Sequence, residues 1–526
     1  MVRLTSFPEG KWLHETPISR IYAGFPFPIY ALQGHAFSLE HGKLANVLIH
    51  ALAHRQTEAV WSREIPPSIS KSFAHAFQSR VVGLTEAGEM IDKIPTPHER
   101  ERLAQAFGEV LEEFIPEMSD PGPFVDYVLD HGVGLFELSA LLRDPELNEI
   151  MVNGNNTHVF VEHQKMGMCQ TNIFIEENDP QSARMILKAA RFSGRNFSEQ
   201  EPLLDARLPD GNRLNATFET ITPQGHSMTI RKFRYDTLSL VDLVMNRTLS
   251  EEMAAYLWLM VEGFGSNPMN IIVSGGSGSG KTTLMNALGA CIPYRERIIS
   301  IEDTLELQFP LRENWVQMES KPAIVRQSTH ERLGMDELLK NSLRMRPDRV
   351  IVGEVRGMEA QTLFAAMDTG HQGSMGTLHA NSPSETLLRL SSEPMNVPKT
   401  LLPLLNIIIV TQKIHFPGEG TKRRIAQIAE ISHLEREPLL SNVFERKPEA
   451  DTVLRTDTPS HCVQVLADAT GKPRKVIQQE LVVRQRILEW MLRQGIHAYA
   501  EVEKILQQYG VNPVGVLERV QGQAMR

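Results

Sequence analysis

The chain has 526 residues, with 54 Lys+Arg against 64 Asp+Glu and a formal net charge of −10. That length exceeds what one hydrophobic core fills and predicts roughly two to four domains. Hydrophobic residues at 41% and charged residues at 22% are ordinary globular composition, which excludes long disorder, a collagen-like repeat and a coiled-coil rod. The acidic balance also excludes the basic footprint that whole-chain nucleic-acid binding needs. Three scattered cysteines, Cys169, Cys291 and Cys462, form no CxxC pair, so no disulfide framework or four-thiolate zinc site is expected and a reducing compartment is. The first twenty residues hold no apolar leader core. The most apolar run, Leu401 to Val410, is interrupted by Pro403 and Asn406 and is shorter than the ~20 residues of a spanning helix.

In chain order, residues up to 95 show no clear pattern. Thr96-Pro97-His98-Glu99 then reads as a capping box, and Leu103, Phe107, Val110 and Phe114 follow at helical spacing as far as Pro116. Residues 1–122 are taken as a partly helical N-terminal extension. From 123 to 235 the pattern is mixed α and β. Strands flank Gly154-Asn155-Asn156, a helix starts at Asp179-Pro180 and runs through Met185, Leu187 and Ala190, and a hairpin turns at Asp210-Gly211. A two-residue turn there would pair Arg213 with Leu208 and send Arg207 and Arg213 to opposite faces.

Residues 236–435 alternate helical segments with short, fully apolar strands such as NIIVSG, RIISIE, RVIVGE and LNIIIV. That rhythm predicts a parallel sheet covered on both faces, a three-layer α/β domain. Residues 436–526 read as a mostly helical C-terminal region. Val502, Ile505, Leu506 and Tyr509 keep helical spacing, and Gly495 and Gly510 sit where C-caps belong.

Between an apolar strand and a helix lies Gly275-Gly276-Ser277-Gly278-Ser279-Gly280-Lys281-Thr282, which satisfies G-x-x-x-x-G-K-[ST]. Glycines let backbone N–H groups turn inward around phosphates, and the following helix, entered through Thr282 and Thr283, points its positive end at them. Lys281 would neutralise β- and γ-phosphate oxygens, and the Thr282 hydroxyl would ligate Mg²⁺. A nucleotide hydrolase also needs carboxylates at strand ends. One apolar strand delivers Glu302, Asp303 and Glu306, and another ends in Gly353-Glu354 where a Walker B strand usually has Asp. Unpaired buried charge is expensive, so packing explains these acids poorly. His371 and His379 flank a further short strand beside the expected γ-phosphate end, in the absence of soft ligands for a metal.

Together the segments GKTTLMNAL, ERIISIEDTLELQ, LRMRPDRVIVGEVRG and TGHQGSMGTLHANSP resemble the Walker A, Asp box, Walker B and His box of the type II/IV secretion ATPase superfamily, most closely its CpaF/TadA-like and archaeal pilus or archaellum members. DPELNEIMVNG, TNIFIEE, LLDARLPDGNRLNA and SMTIRKF resemble its N-terminal domain, and the likeness covers residues 125–435. The resemblance implies a RecA-like P-loop motor behind a smaller α+β domain that covers the nucleotide. It also implies Mg-dependent ATP hydrolysis by a homohexamer at the cytoplasmic side of a membrane. The motor would act on a polytopic platform protein of a pilus or secretion machine, with no nucleic-acid partner and no membrane span of its own. Glu306 then matches the general base, Glu302 and Asp303 its acidic partners, Glu354 the Walker B acid and metal site, and His371 and His379 the His box. Arginines of the N-terminal domain reach phosphate in this family, which points to Arg207, Arg213 and Arg231, with Arg213 and Arg231 favoured by the turn argument. The four-cysteine zinc element of some type II members is missing. The alternative class is a hexameric RecA-type nucleic-acid translocase or helicase; no NKxD motif supports a GTPase.

Overall fold

The computed structural model describes residues 2–4, 12–16, 19–22, 27–32, 39–54, 71–87, 95–118, 120–177, 180–193, 196–233, 237–325, 332–416, 420–434 and 437–524. Contacts divide the chain into two units, Met1–Arg234 and Tyr235–Arg526.

The first unit is built on a ten-stranded sheet. Its strands are β1 (Val2–Leu4), β2 (Trp12–Glu15), β3 (Ser19–Tyr22), β4 (Ile29–Leu32), β5 (Leu147–Asn153), β6 (Thr157–His163), β7 (Gly167–Ile175), β8 (Leu203–Arg207), β9 (Arg213–Thr217) and β10 (Ser227–Arg231). They lie in the order β2-β3-β4-β7-β6-β5-β10-β9-β8, with β1 also on β7. Period-two alternation sends Ile150, Val152, Leu204, Leu214, Ala216, Met228 and Ile230 into one apolar cluster with Met185 and Ala189 of α6 (Pro180–Phe192). The helices before α6 include α1 (Leu39–His54), α2 (Lys71–Phe77), α3 (Pro97–Phe114), α4 (Gly122–Gly132) and α5 (Leu138–Arg143). The first four share a separate core of Leu48, Phe73, Phe77, Phe107, Phe124 and Val128. The capping box of α3 forms as the sequence implies, with the Glu99 amide donating to the Thr96 hydroxyl and the Thr96 amide donating to Glu99.

The hairpin between β8 and β9 differs from the two-residue turn. Arg207 is the direct cross-strand partner of Arg213, so the connection holds five residues, Leu208 to Asn212. The Leu208 amide donates to the Asn212 carbonyl at 2.8 Å and the Gly211 amide to Leu208 at 2.9 Å. Two side chains stabilise the longer loop. Asp210, buried, accepts from the Asn212 amide and side chain, and Asn212 Oδ1 accepts from the Phe233 amide at 2.7 Å. Arg207 and Arg213 therefore share a face.

In the second unit β11 (Ile271–Gly275), β12 (Ile298–Glu302), β13 (Trp315–Glu319), β16 (Arg349–Val355), β17 (Met375–Leu378) and β18 (Ile407–Phe416) form a parallel sheet in the order β13-β12-β16-β17-β11-β18. A separate small pair is made by β14 (Lys321–Val325) and β15 (Arg332–Leu333). Successive apolar residues alternate between two cores. Ile271, Val273, Ile298, Ile351, Ile407 and Ile409 enter one; Ile272, Ile299, Val350, Val352, Ile408 and Val410 enter the other. That division is the three-layer arrangement expected of continuous apolar runs.

The first face is covered by α7 (Leu240–Met245), α8 (Glu251–Glu262) and α9 (Lys281–Gly289); the second by α10 (Met335–Ser342), α11 (Glu359–Asp368) and α12 (Pro383–Ser391). Beyond β18 the sheet continues antiparallel through β19 (Gly420–Leu434), β20 (Glu437–Lys447) and β21 (Thr452–Arg455), an extension the apolar pattern did not announce.

The tail helices α13 (His461–Thr470), α14 (Arg474–Arg493), α15 (Tyr499–Val511) and α16 (Pro513–Ala524) bury residues in the first core. Their docking uses buried charge. The Glu430 carboxylate accepts from Tyr256, Ser460 and the amides of His461 and Cys462 at the start of α13. Arg312 pairs with Glu503 at 3.0 Å, and Arg484 pairs with Glu262 and Glu480. Gly495 takes the left-handed C-cap conformation at φ 68°, as expected. Gly510 does not, because α15 continues past it to Val511. Among the described residues no helix is long and apolar enough to cross a membrane.

Candidate active site

All parallel strands of the second unit end on one edge, where open α/β sheets bind ligands. At that edge β11 runs into the glycine loop. Gly278 (φ 67°) and Gly280 (φ 96°) adopt the left-handed conformation that turns successive amides inward. Ser279 fixes the loop base by donating to Gly276 at 2.8 Å, and its hydroxyl also bonds Thr411 at 2.8 Å. A Cβ on Gly275 would lie 2.4 Å from both hydroxyls, so glycine is required there. The mouth is open, since a Cβ on Gly276 or Gly278 would meet nothing closer than 3.7 Å. Lys281 Nζ lies across the loop, donating to the Gly275 and Gly276 carbonyls at 2.9 and 3.0 Å.

The first acid segment meets this loop directly. The Thr282 hydroxyl donates to Glu306 Oε2 at 3.1 Å. Glu306 is held from behind, because Glu302 Oε2 accepts from the Glu306 and Leu307 amides at 2.7 and 2.8 Å. Asn286 of α9 adds contacts to the Glu306 carbonyl and the Gln308 amide. Glu302 is buried at the end of β12, and Gly353 on neighbouring β16 leaves it room. A Cβ on Gly353 would stand 2.8 Å from Glu302 Cγ, which explains glycine before the strand-end acid. Glu302 thus braces the loop that carries Glu306.

Glu354 and Asp303 are joined by Arg356, which contacts Glu354 at 2.8 Å and Asp303 at 3.7 Å; Asp303 also accepts from Ser320 at 2.9 Å. Burial would raise the Glu354 carboxyl, but the Arg356 hydrogen bond and charge, with Lys281 and His379, hold it below its ordinary value. Arg356 is a further site residue outside the motif positions; it follows the last residue of β16 and lies two positions after Glu354, close enough for the side chains to pair.

The two histidines separate. β17 lies between β11 and β16, and exposed His379 follows its C-terminal end, at the nucleotide edge. His371 precedes the strand, at the opposite edge. There it bonds the Ala366 carbonyl, and its own carbonyl accepts from Ser374, whose amide binds Asn270 at the start of β11. The expectation that both flank the γ-phosphate end is corrected. Four strand residues at about 3.3 Å each stand between them.

The donor set suits the expected ligands. Inward-turned amides and Lys281 match phosphate, and the Thr282 hydroxyl with the Glu306 and Glu354 carboxylates are the hard oxygens Mg²⁺ prefers. In the first unit, taken by itself, the face opposite the core carries a row. Arg207 opposes Arg213, and Arg213 opposes Arg231 across three adjacent strands. Arg213 pairs with Asp205 at 3.1 Å and Arg231 reaches Glu149 at 4.0 Å.

The family model described as type II/IV secretion system protein matches residues 138–504. MJ0900 of Methanocaldococcus jannaschii is 36% identical over 71% of this chain and 67% of its own length. MJ0781 of the same organism is 46% identical over 48% of this chain; the chain spans only 35% of that longer protein. The conjugal transfer protein TrbB of Rhizobium radiobacter is 30% identical over 56% of this chain and 87% of its own length. By these matches the chain belongs to the type II/IV secretion system protein family, the secretion ATPases whose motifs its second unit carries in order.

Proposed function

We propose that the chain hydrolyses ATP with Mg²⁺ at the loop edge of its second unit and works as the motor of a pilus or secretion machine. The bond between Thr282 and Glu306 carries this reading, because it puts a carboxylate beside the hydroxyl that would ligate the metal. The metal, when bound, screens the phosphate oxygens and orients the nucleotide. Lys281 leaves the loop carbonyls for the β- and γ-phosphates. Glu306 accepts the proton of the attacking water, and Glu354, kept ionised by Arg356, would help hold the magnesium ion.

Arg213 and Arg231, with Arg207 restored to the set by the shared face, supply cationic stabilisation of the transferring phosphoryl group. Three like charges in cross-strand register repel one another, a cost that an anionic ligand would relieve. His379 belongs with the nucleotide group. His371 serves the opposite edge of the sheet, where a neighbouring subunit of a homohexamer would make contact. The hexamer would sit at the cytoplasmic face of a membrane and pass rigid-body movement of its first unit to a polytopic platform protein. The test is phosphate release from ATP in magnesium, with and without DNA. Wild type turns over and Lys281→Ala does not, and DNA leaves the rate unchanged. Equal turnover by Lys281→Ala would overturn the assignment, and strong stimulation by DNA would favour a nucleic-acid translocase.

A further inference from the structure

The glycine loop has cations on two sides. Acids and Lys281 occupy the side toward β12 and β16. On the other side β18 and β19 leave the parallel sheet as an antiparallel hairpin, and Lys413 and Arg423 are direct cross-strand partners on it. Both side chains reach the loop. Arg423 Nε donates to the Gly278 carbonyl at 3.1 Å. A Cβ on Gly280 would lie 3.4 Å from Arg423 Cδ, and one on Gly278 would lie 3.8 Å from Lys413 Nζ. No motif reading reached these residues, which stand more than a hundred positions from the loop in sequence.

Sheet order gives the pair a direction. From β11, the strands ending in Glu302 and Glu354 lie beyond β17, whereas Lys413 and Arg423 lie on the β18 side. Acids that activate water and hold the metal must face the γ-phosphate. A phosphate chain threaded over the loop with that end toward the acids leaves by the other side, toward β18 and β19. We infer that Lys413 and Arg423 form the binding site for the α-phosphate end of the nucleotide, an inference that rests on the ATP reading above. Arg423 does so as a positioning residue. By holding the Gly278 carbonyl outward it keeps the adjoining loop amides turned toward phosphate. Lys413 adds a positive charge at the loop's exposed rim. Because both act on the non-reacting end, they contribute equally to ground state and transition state, which lowers KM without raising kcat.

The experiment compares full-length wild type, Lys413→Ala, Arg423→Ala, Arg423→Lys and Lys281→Ala in titrations with ATP and ADP, and in steady-state phosphate release. Each alanine variant at Lys413 or Arg423 should weaken ATP and ADP alike, by about tenfold for loss of a charge-assisted contact. KM should rise in step while turnover at saturation persists. Arg423→Lys, which keeps charge but not the Nε geometry, should restore the affinity only in part. Unchanged affinity in both alanine variants, or a fall in kcat at constant KM, overturns the inference while Lys281→Ala still fails to turn over. If Lys281→Ala itself binds and hydrolyses like wild type, the underlying ATP reading fails instead. Thermal melting of each variant separates lost folding from lost binding.

Discussion

Thr282 and Glu306, twenty-four positions apart in sequence, are joined by a 3.1 Å hydrogen bond from hydroxyl to carboxylate. The bond links the first turn of α9 to the loop after β12, so the same two residues can share one hydrated cation. Thr282→Ser keeps the oxygen and should keep turnover within about threefold, whereas Thr282→Ala should lose about a hundredfold. Titrating magnesium checks the cause. The alanine variant should recover part of its rate as the metal concentration rises, and a loss independent of magnesium would argue against metal ligation by this hydroxyl.

Glu302 should matter through Glu306 and not through nucleotide affinity. Its carboxylate accepts from the Glu306 and Leu307 amides, and Gly353 supplies the space it occupies. Gly353→Ala places a methyl group 2.8 Å from Glu302 Cγ, which forces the brace to shift. Turnover should fall by about tenfold or more, since small displacements of a positioned base are costly. ATP affinity, measured by equilibrium titration, should stay near the wild-type value. A loss of affinity with preserved turnover would show that Glu302 acts elsewhere.

The arginine row predicts an effect on activity with little effect on stability. Arg213 lies in register with Arg207 on one side and Arg231 on the other. Removing it relieves like-charge repulsion of roughly 0.2–1 kcal/mol, against an exposed pairing with Asp205 of similar size. Arg213→Ala should therefore melt within a few degrees of wild type while turnover drops by about tenfold to a thousandfold. A clear fall in melting temperature with intact turnover would make the row structural.

Glu503 is the buried carboxylate of the tail, and burial pushes it up to about 7 even though Arg312 pulls the other way. The sign follows from linkage. A folded-state value above the ordinary 4.5 means that the folded chain binds this proton more tightly than the unfolded chain. Its stabilising contribution is complete below about 4.5 and is lost as pH rises through 7. Glu503→Gln cannot ionise, so its melting temperature relative to wild type should rise between pH 5 and pH 8. Glu503→Leu leaves Arg312 buried without its partner and should cost about 3–5 kcal/mol. A constant difference between wild type and Glu503→Gln across this range would contradict the linkage.

What the sequence conveyed followed the range over which its signals act. The glycine loop and the acid ends of β12 and β16 were legible because each is a local pattern on an apolar strand. Register was not. Reading Asp210-Gly211 as a short turn put Arg207 and Arg213 on opposite faces, and the buried hydrogen bonds of Asp210 with Asn212 lengthen the loop and reverse that result. Strand direction mattered for the histidines, since four residues of β17 carry His371 and His379 to opposite edges. Gly510 shows the same limit for helices, because a glycine near a helix end becomes a cap only when the chain turns there. Lys413 and Arg423 were invisible for a related reason. Cross-strand pairing, not spacing, brings them to the loop.

The most direct test of the central claim is single-turnover hydrolysis of ATP by Glu306→Gln, with nucleotide affinity measured on the same protein. Glutamine keeps the shape and the hydrogen bond to Thr282 but cannot accept a proton from water. Affinity should stay within about threefold of wild type while the hydrolysis step slows by about a hundredfold or more. Hydrolysis at the wild-type rate with unchanged affinity would contradict the account.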